Sequence, residues 1–245
     1  MAAEKVAFIT GGNKGLGLET ARQLGKQGIK VVIGARDLAK GKEAVENLKA
    51  DGVNADVVRF DITKAADYKE VYQYFDKNCG RLDILVNNAG ISKEDFMGGN
   101  KTSSTSAELL HETFDTNFFG AVQLTQVLLP LIKKAPAGRI VNLSSILGSL
   151  ALHADPKSPI YDAKAFAYDA SKAALNSFTI HLAHELKDTK IKVNSAHPGW
   201  VKTDMGTDAA PMEIVDGAKT SVALATLPED GPTGAYIHLG EALPW

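Results

Sequence analysis

Tyr168 and Lys172 stand four residues apart in the run Tyr168-Asp169-Ala170-Ser171-Lys172. On a helix, that spacing projects both side chains from one face. A phenol titrates near about 10 in water, too high for easy proton exchange at neutral pH, and an ammonium one turn away favours the phenolate. The pair is therefore a candidate acid/base device. Taken alone it is also an ordinary feature of many helices. A hydroxyl, Ser145, follows the short apolar run 139–143 and is the natural partner for such a phenol. Reduction of a carbonyl leaves an alkoxide, which needs a hydrogen-bond donor and a proton source. Ser145 can supply the first and Tyr168 the second.

Short apolar runs alternate with longer amphipathic segments along the 245 residues. Strands are predicted at 5–10, 30–35, 56–60, 82–86, 139–143, 191–195 and 235–239. Helices are predicted at 16–27, 38–50, 64–78, 107–133 (with a break at Pro130), 165–187 and 213–226. Strands apolar on both faces and separated by helices imply a doubly wound, mostly parallel α/β sheet of seven strands covered on both sides. No linker or repeat interrupts the pattern, so residues 1–245 read as one cofactor-binding and catalytic domain. Three segments fall outside the alternation: 91–106, 148–164 and 198–212. Each follows a predicted strand, which places them together at the carboxyl edge of the sheet as a substrate rim. Phe96, Met97, Trp200 and Met205 would make that rim apolar.

Hydrophobic residues make up 44% of the chain, enough for a large core, and the net charge of −2 gives no electrostatic case for nucleic acid or an acidic membrane. The single cysteine, Cys79, rules out an internal disulfide framework and fits a reducing, cytoplasmic setting. The N-terminal apolar run enters a glycine turn directly, so a strand is expected there and not a signal peptide. No apolar run approaches the length of a membrane span. His181 and His184 lack an evident third ligand, so helix-face residues are expected there and no metal site.

Gly11, Asn13, Lys14, Gly15, Leu16 and Gly17 join the first strand to the first helix. Glycines there permit a tight turn and let a pyrophosphate approach the free N–H groups of a helix N-terminus. The spacing is TGxxxGxG and not GxGxxG. An acid at the end of the second strand would bind an adenosine ribose, but this chain has Ala35-Arg36. A guanidinium there suits a 2′-phosphate, with Lys14 adding charge, so NADPH is expected over NADH. Lys40 reads as a solvated helix-face residue.

The runs TGGNKGLG, NNAG, LSS, YDASK and PGWVKTDM follow one another over nearly the whole chain. Together they resemble the short-chain dehydrogenase/reductases, a Rossmann-fold family, and look most like its carbonyl reductase branch. The resemblance implies that the glycine loop holds the cofactor phosphates, and that Asp61, with Ile62 beside it, meets the adenine. Asn88, Ala89 and Gly90 would line the adenosine-ribose side. Asn117 would hold a water leading to Lys172, which would also bind the nicotinamide ribose. Ser145 would position the carbonyl and Tyr168 would exchange the proton. The segment carrying Pro198, Gly199, Val201 and Thr203 would meet the nicotinamide carboxamide or a nearby phosphate.

The chain departs from the family pattern between Ser145 and Tyr168, 23 positions apart, a longer gap than usual. The extra segment carries a second Tyr-Asp-Ala-Lys run at Tyr161, but its Lys164 follows at three residues and not four and Pro159 suggests a loop there, so Tyr168 is expected to do the chemistry. The segment either covers part of the site or alters subunit packing. Helices 107–133 and 165–187 are expected to pair between subunits in a tetramer or dimer, with a monomer as the alternative. The expected activity is NADPH-dependent reduction of a ketone or aldehyde. Its rivals are an NADP-dependent alcohol or hydroxysteroid dehydrogenase working in oxidation, and an NADP-binding regulator without turnover.

Overall fold

A computed structural model of the protein describes residues 4–96 and 99–245. Met97, one of the expected rim residues, lies outside the described residues. The chain runs β1 (Val6–Thr10), α1 (Gly15–Lys26), β2 (Lys30–Ala35), α2 (Leu38–Ala50), β3 (Ala55–Arg59), α3 (Ala65–Asn78) and β4 (Ile84–Asn87). It continues through α4 (Ala107–Phe114), a π-helical stretch (Asp115–Phe119), α5 (Gly120–Ile132), β5 (Arg139–Leu143), α6 (Leu150–Ala154) and α7 (Phe166–Glu185). It closes with β6 (Lys192–Ala196), α8 (Ile214–Gly217), α9 (Lys219–Ala225), β7 (Tyr236–His238) and β8 (Glu241–Ala242).

The strands form one sheet in the order β3-β2-β1-β4-β5-β6-β7-β8. All neighbours are parallel except β7 and β8. The sheet therefore has eight strands where seven were expected. The eighth is a two-residue antiparallel return, too short to leave a pattern in sequence. Every residue of β1 is buried because both of its faces are covered. Phe8 joins Phe60, Phe75 and Leu124 on one side, and Ile9 joins Leu24, Ile33 and Leu224 on the other. Among the described residues, no helix is long and apolar enough to cross a membrane.

Two helical expectations are corrected. Residues 107–133 do not form one regular helix, because the π-helical stretch divides α4 from α5; nor does Pro130 break α5, which passes it and ends at Ile132. A proline so near a helix end forfeits one backbone bond without disrupting much helix beyond it. Residues 213–226 form two short helices and not one. Gly217 ends the first, packed so closely on Val201 and Leu16 that a Cβ there would come within 2.6 Å of Val201.

The helix that carries Tyr168 and Lys172 is tied to the sheet by a buried polar ladder. Asn87 Nδ2 donates to Thr125 Oγ1 at 3.0 Å and to Asn142 Oδ1 at 2.8 Å. Asn142 Nδ2 in turn donates to Thr179 Oγ1 on α7 at 2.8 Å, and Thr179 meets Ser195 Oγ at 2.8 Å. Losing any of these bonds would strand a buried donor or acceptor, so the ladder holds α7 at one depth over β4, β5 and β6. Asn142→Leu removes two of these bonds and strands their partners. It is expected to lower the unfolding free energy by about 2–4 kcal/mol. Urea denaturation measures this, and an unchanged midpoint would show that the ladder adds nothing.

Candidate active site

The chain leaves β1 outward through β2 and β3, then returns to lay β4 on the other flank of β1. Loops diverge from the carboxyl ends of β1 and β4 and leave a crevice between them, the usual ligand position in such sheets. A cleft of about 820 Å³ opens there. It is lined by Gly11, Asn13, Lys14, Gly15, Leu16 and Gly17 at one end and by Tyr168 and Lys172 at the other. Arg36, Asp61, Ile62, Asn88, Ala89, Gly90, Pro198 and Thr203 also line it. The structure thus gathers most of the expected residues around one cavity.

The glycine end is built to take an anion. Lys14 occupies the N-cap of α1 without a side-chain cap, so backbone N–H groups at that terminus face the cleft unscreened. Gly15 has φ +53°, a conformation that favours glycine. A Cβ on Gly17 would sit 2.5 Å from Asn88 Nδ2 and 2.6 Å from the Gly11 carbonyl, so the loop closes tightly around the site. Thr10 Oγ1 stitches this loop to the next strand by accepting the N–H groups of Asn88 and Ala89 at 3.0 and 2.9 Å.

Arg36 is exposed at the carboxyl end of β2. Asp37 beside it caps α2, its Oδ1 accepting the N–H groups of Ala39 and Lys40 at 2.9 and 3.2 Å. The nearest acid is therefore engaged at a helix terminus, and the guanidinium faces the cleft. Burial raises the Asp61 carboxyl, but bonds from the Thr63 N–H and hydroxyl and the charge of Arg36 bring it below the usual carboxylate range. Lys14 is not a free cation. Its Nζ meets Asp204 Oδ2 at 2.5 Å across the cleft mouth, with both side chains mostly exposed.

At the other end, Tyr168 and Lys172 are 6% and 4% exposed on α7. Lys172 Nζ lies 5.6 Å from the phenol ring centroid and donates to the Leu143 carbonyl at 2.8 Å. Burial pushes Tyr168 up to about 12 and Lys172 down to about 8. The expected lowering of the phenol by the lysine is not what governs it. Burial wins, and the group that pulls the phenol back down is the Ser145 hydroxyl, within hydrogen-bonding reach. Phe96 packs edge-on against the phenol with centroids 5.1 Å apart.

Asn117 lies in the π-helical stretch, buried behind the cleft wall. Its Oδ1 accepts from Ile91 N at 2.8 Å, and its Nδ2 donates to the Ile91 carbonyl at 2.9 Å and to Ser171 Oγ at 3.0 Å. A Cβ on Gly90 would lie 3.4 Å from both Asn117 Oδ1 and Lys172 Nζ, so the two converge on that glycine. Val201 has its side chain buried behind the wall, bridged to Met212, and Gly199 turns at φ +93°. Tyr161 is exposed in a turn, away from the cleft. Segments 91–106 and 198–212 contribute to the cleft, whereas no residue of 148–164 lines it. His181 and His184 are exposed on α7.

Sequence reasoning missed Glu94, which caps the helix carrying Tyr168 and Lys172 from a distant loop. Its Oε2 accepts the Tyr168 N–H at 2.9 Å, a bond the N-cap Ala165 cannot supply. No local pattern signals such a contact. Asp169 Oδ2 accepts the Ala165 N–H at 3.0 Å and lies 3.4 Å from His153 Nε2, while the other ring nitrogen of His153, Nδ1, meets Lys164 Nζ at 3.0 Å. The extra segment therefore braces the start of α7. Burial raises the Asp169 carboxyl to about 7, Glu94 adds to the rise, and Lys164 opposes it. A carboxyl that holds its proton more tightly when folded stabilises the fold below its unfolded value of about 4, and that contribution is lost as pH rises through 7. Stability is expected to decline across this window, and Asp169→Asn to flatten the decline. Thermal melts at stepped pH test this; identical slopes in both proteins would refute it.

The model of the short chain dehydrogenase family matches residues 5–214. The chain is 34% identical over 279 residues to human carbonyl reductase [NADPH] 1, covering 98% of each chain. It is similar to the structure of salutaridine reductase from Papaver somniferum, with a TM-score of 0.82, 31% identity, and coverage of 95% of this chain and 99% of that one. An NADPH-bound carbonyl reductase from chicken fatty liver aligns with a TM-score of 0.85 at 26% identity, covering 99% of each chain. With the family model matched over most of its length and a relative at 34% identity covered almost end to end, the chain belongs to the short-chain dehydrogenase family.

Proposed function

We propose that the protein reduces a ketone or aldehyde to an alcohol with NADPH, with Tyr168 as the proton donor. The observation that carries this reading is one cleft with an anion-accepting glycine turn and Arg36 at one end and a phenol and an ammonium at the other, the Ser145 hydroxyl lying within hydrogen-bonding reach of that phenol. Relatives and structural neighbours named as NADPH-dependent or NADPH-bound carbonyl reductases support it.

The residues fit the cofactor. The uncapped start of α1 and Gly15 would hold the pyrophosphate, Arg36 the 2′-phosphate, and Asp61 and Ile62 would border the adenine. Asn88, Ala89 and Gly90 would line the ribose side, and the segment from Pro198 to Thr203 would border the nicotinamide. When bound, the cofactor supplies the hydride. The Ser145 hydroxyl positions the carbonyl oxygen, and the Tyr168 phenol donates a proton to it as negative charge develops. Lys172 orients the ribose hydroxyls and, with Asn117 steadying Gly90-Ile91, opens a path for proton resupply.

Burial holds the phenol above its usual range, so it rests protonated at neutral pH, as a proton donor to a carbonyl must. Phe96 beside the phenol favours a carbonyl flanked by apolar substituents. With a ketone panel, Tyr168→Phe is expected to lower turnover about 10²–10⁴-fold while NADPH binding persists. Tyr161→Phe should stay near the parental rate. A still-active Tyr168→Phe would overturn the assignment.

Cofactor choice is tested separately. Arg36→Ala should weaken NADPH binding by roughly tenfold or more and leave NADH binding nearly unchanged. Asp204→Asn frees Lys14 for the phosphate and should tighten NADPH binding by about fivefold or less, an effect that fades with salt. Equal kcat/KM for both cofactors in the parent protein would reject the phosphate site.

A further inference from the structure

His197 follows β6 directly and precedes Pro198-Gly199. Its imidazole is buried, and its Nδ1 accepts two backbone N–H groups, from Ile146 at 3.1 Å and from Gly199 at 3.4 Å. Accepting at Nδ1 places the ring proton on Nε2. Burial, and then the neighbouring His238, keep the ring uncharged down to about 3, so the lone pair stays available. His238 lies against it with ring centroids 4.7 Å apart, and its Nδ1 donates to the His197 carbonyl at 2.9 Å.

The two N–H groups belong to the two segments whose Ser144 and Pro198 line the cleft from different walls. Ile146 follows Ser145, and the peptide joining them is held at both polar atoms. The Ser145 carbonyl accepts from the Tyr236 hydroxyl and from Gly148 N, while the Ile146 N–H meets His197. Gly199 starts the other wall, turning at φ +93° with Met212 and His238 so close that a Cβ would lie 2.8 and 3.2 Å from them. One ring nitrogen therefore sets the distance between the serine loop and the segment proposed to border the nicotinamide.

We propose that His197 is a positioning residue that locks these two walls in register, so that the hydroxyl of Ser145 and the hydride source meet the same carbonyl. Its kinetic consequence rests on the carbonyl reductase reading, whereas the lock itself does not. His197→Leu removes the acceptor and keeps bulk; His197→Asn restores an oxygen near the place of Nδ1. Hydrogen exchange should show the Ile146 and Gly199 amides exchanging about tenfold faster in the Leu variant, with protection largely regained in the Asn variant. Turnover should fall roughly 10–100-fold in the Leu variant, as expected for a small misplacement of reacting groups, and recover in the Asn variant. Affinity for adenosine 2′,5′-bisphosphate, which reaches only the Arg36 end, should stay within about twofold of the parent.

Unchanged exchange at both amides in the Leu variant overturns the proposal. So does faster exchange spread evenly over the sheet with loss of bisphosphate binding, because that reports general destabilisation. Full turnover in the Leu variant also overturns it. A parent protein that turns over no carbonyl removes the proposed function instead, and the exchange pattern then decides the lock alone.

Discussion

Lys172 carries an ionisable nitrogen into a site from which water is nearly excluded, and much of the surrounding architecture follows from that placement. The Leu143 carbonyl at the end of β5 is its partner. That bond holds only if α7 lies at one depth over the sheet, which the Asn87–Asn142–Thr179 ladder fixes from below. From above, the turn after Ser145 presses directly on α7. A Cβ on Gly148 would lie 3.0 Å from the Lys172 backbone, and Asn176 Nδ2 donates to the Gly148 carbonyl at 3.3 Å. The serine loop and the lysine helix are thus a single packed unit. The proximity of hydroxyl, phenol and ammonium results from backbone packing more than from any bond among the three.

The same burial sets the character of the site. Low polarity holds the phenol protonated and eases the lysine toward neutrality, so the pair does not act as a simple charge couple. The mouth of the cleft works differently. There Arg36, Lys14 and Asp204 remain open to solvent, where charge attracts over distance but each pair contributes little and yields to salt. On the proposed reading, an anionic ligand is recognised in water and proton chemistry is carried out away from it.

Most of the architecture was legible in the sequence because its signals are local. Buried strands such as Val6–Thr10 are uninterrupted apolar runs, the glycine turn stands where β1 ends, and Tyr168 and Lys172 share a face by spacing alone. What escaped depends on contacts between distant segments. Glu94 caps a helix 74 positions away, and the role of Asn87 appears only when β5 pairs with β4. The interruption of 213–226 at Ala218, beside Gly217 packed against Val201, is not encoded in any periodicity. The choice between the tyrosines did have a local sign: Lys172 lies four residues beyond Tyr168, whereas Tyr161 is followed by Lys164 at three. The turn that leaves Tyr161 exposed agrees with it.

The π-helical stretch Asp115–Phe119 puts one additional residue into a turn of an otherwise regular helix. Side chains before and after it are consequently about 100° out of phase. Asn117 owes its inward aim, and its grip on Ile91 and Ser171, to that slip. The feature is therefore encoded in chain length and not in residue type. Deleting one of the other four residues would heal the hydrogen-bond ladder and yield a more regular helix, while swinging the Asn117 amide away from the wall it supports. The aim of this side chain is thus set by a count of residues, which a substitution elsewhere in the stretch leaves intact and a change of length does not.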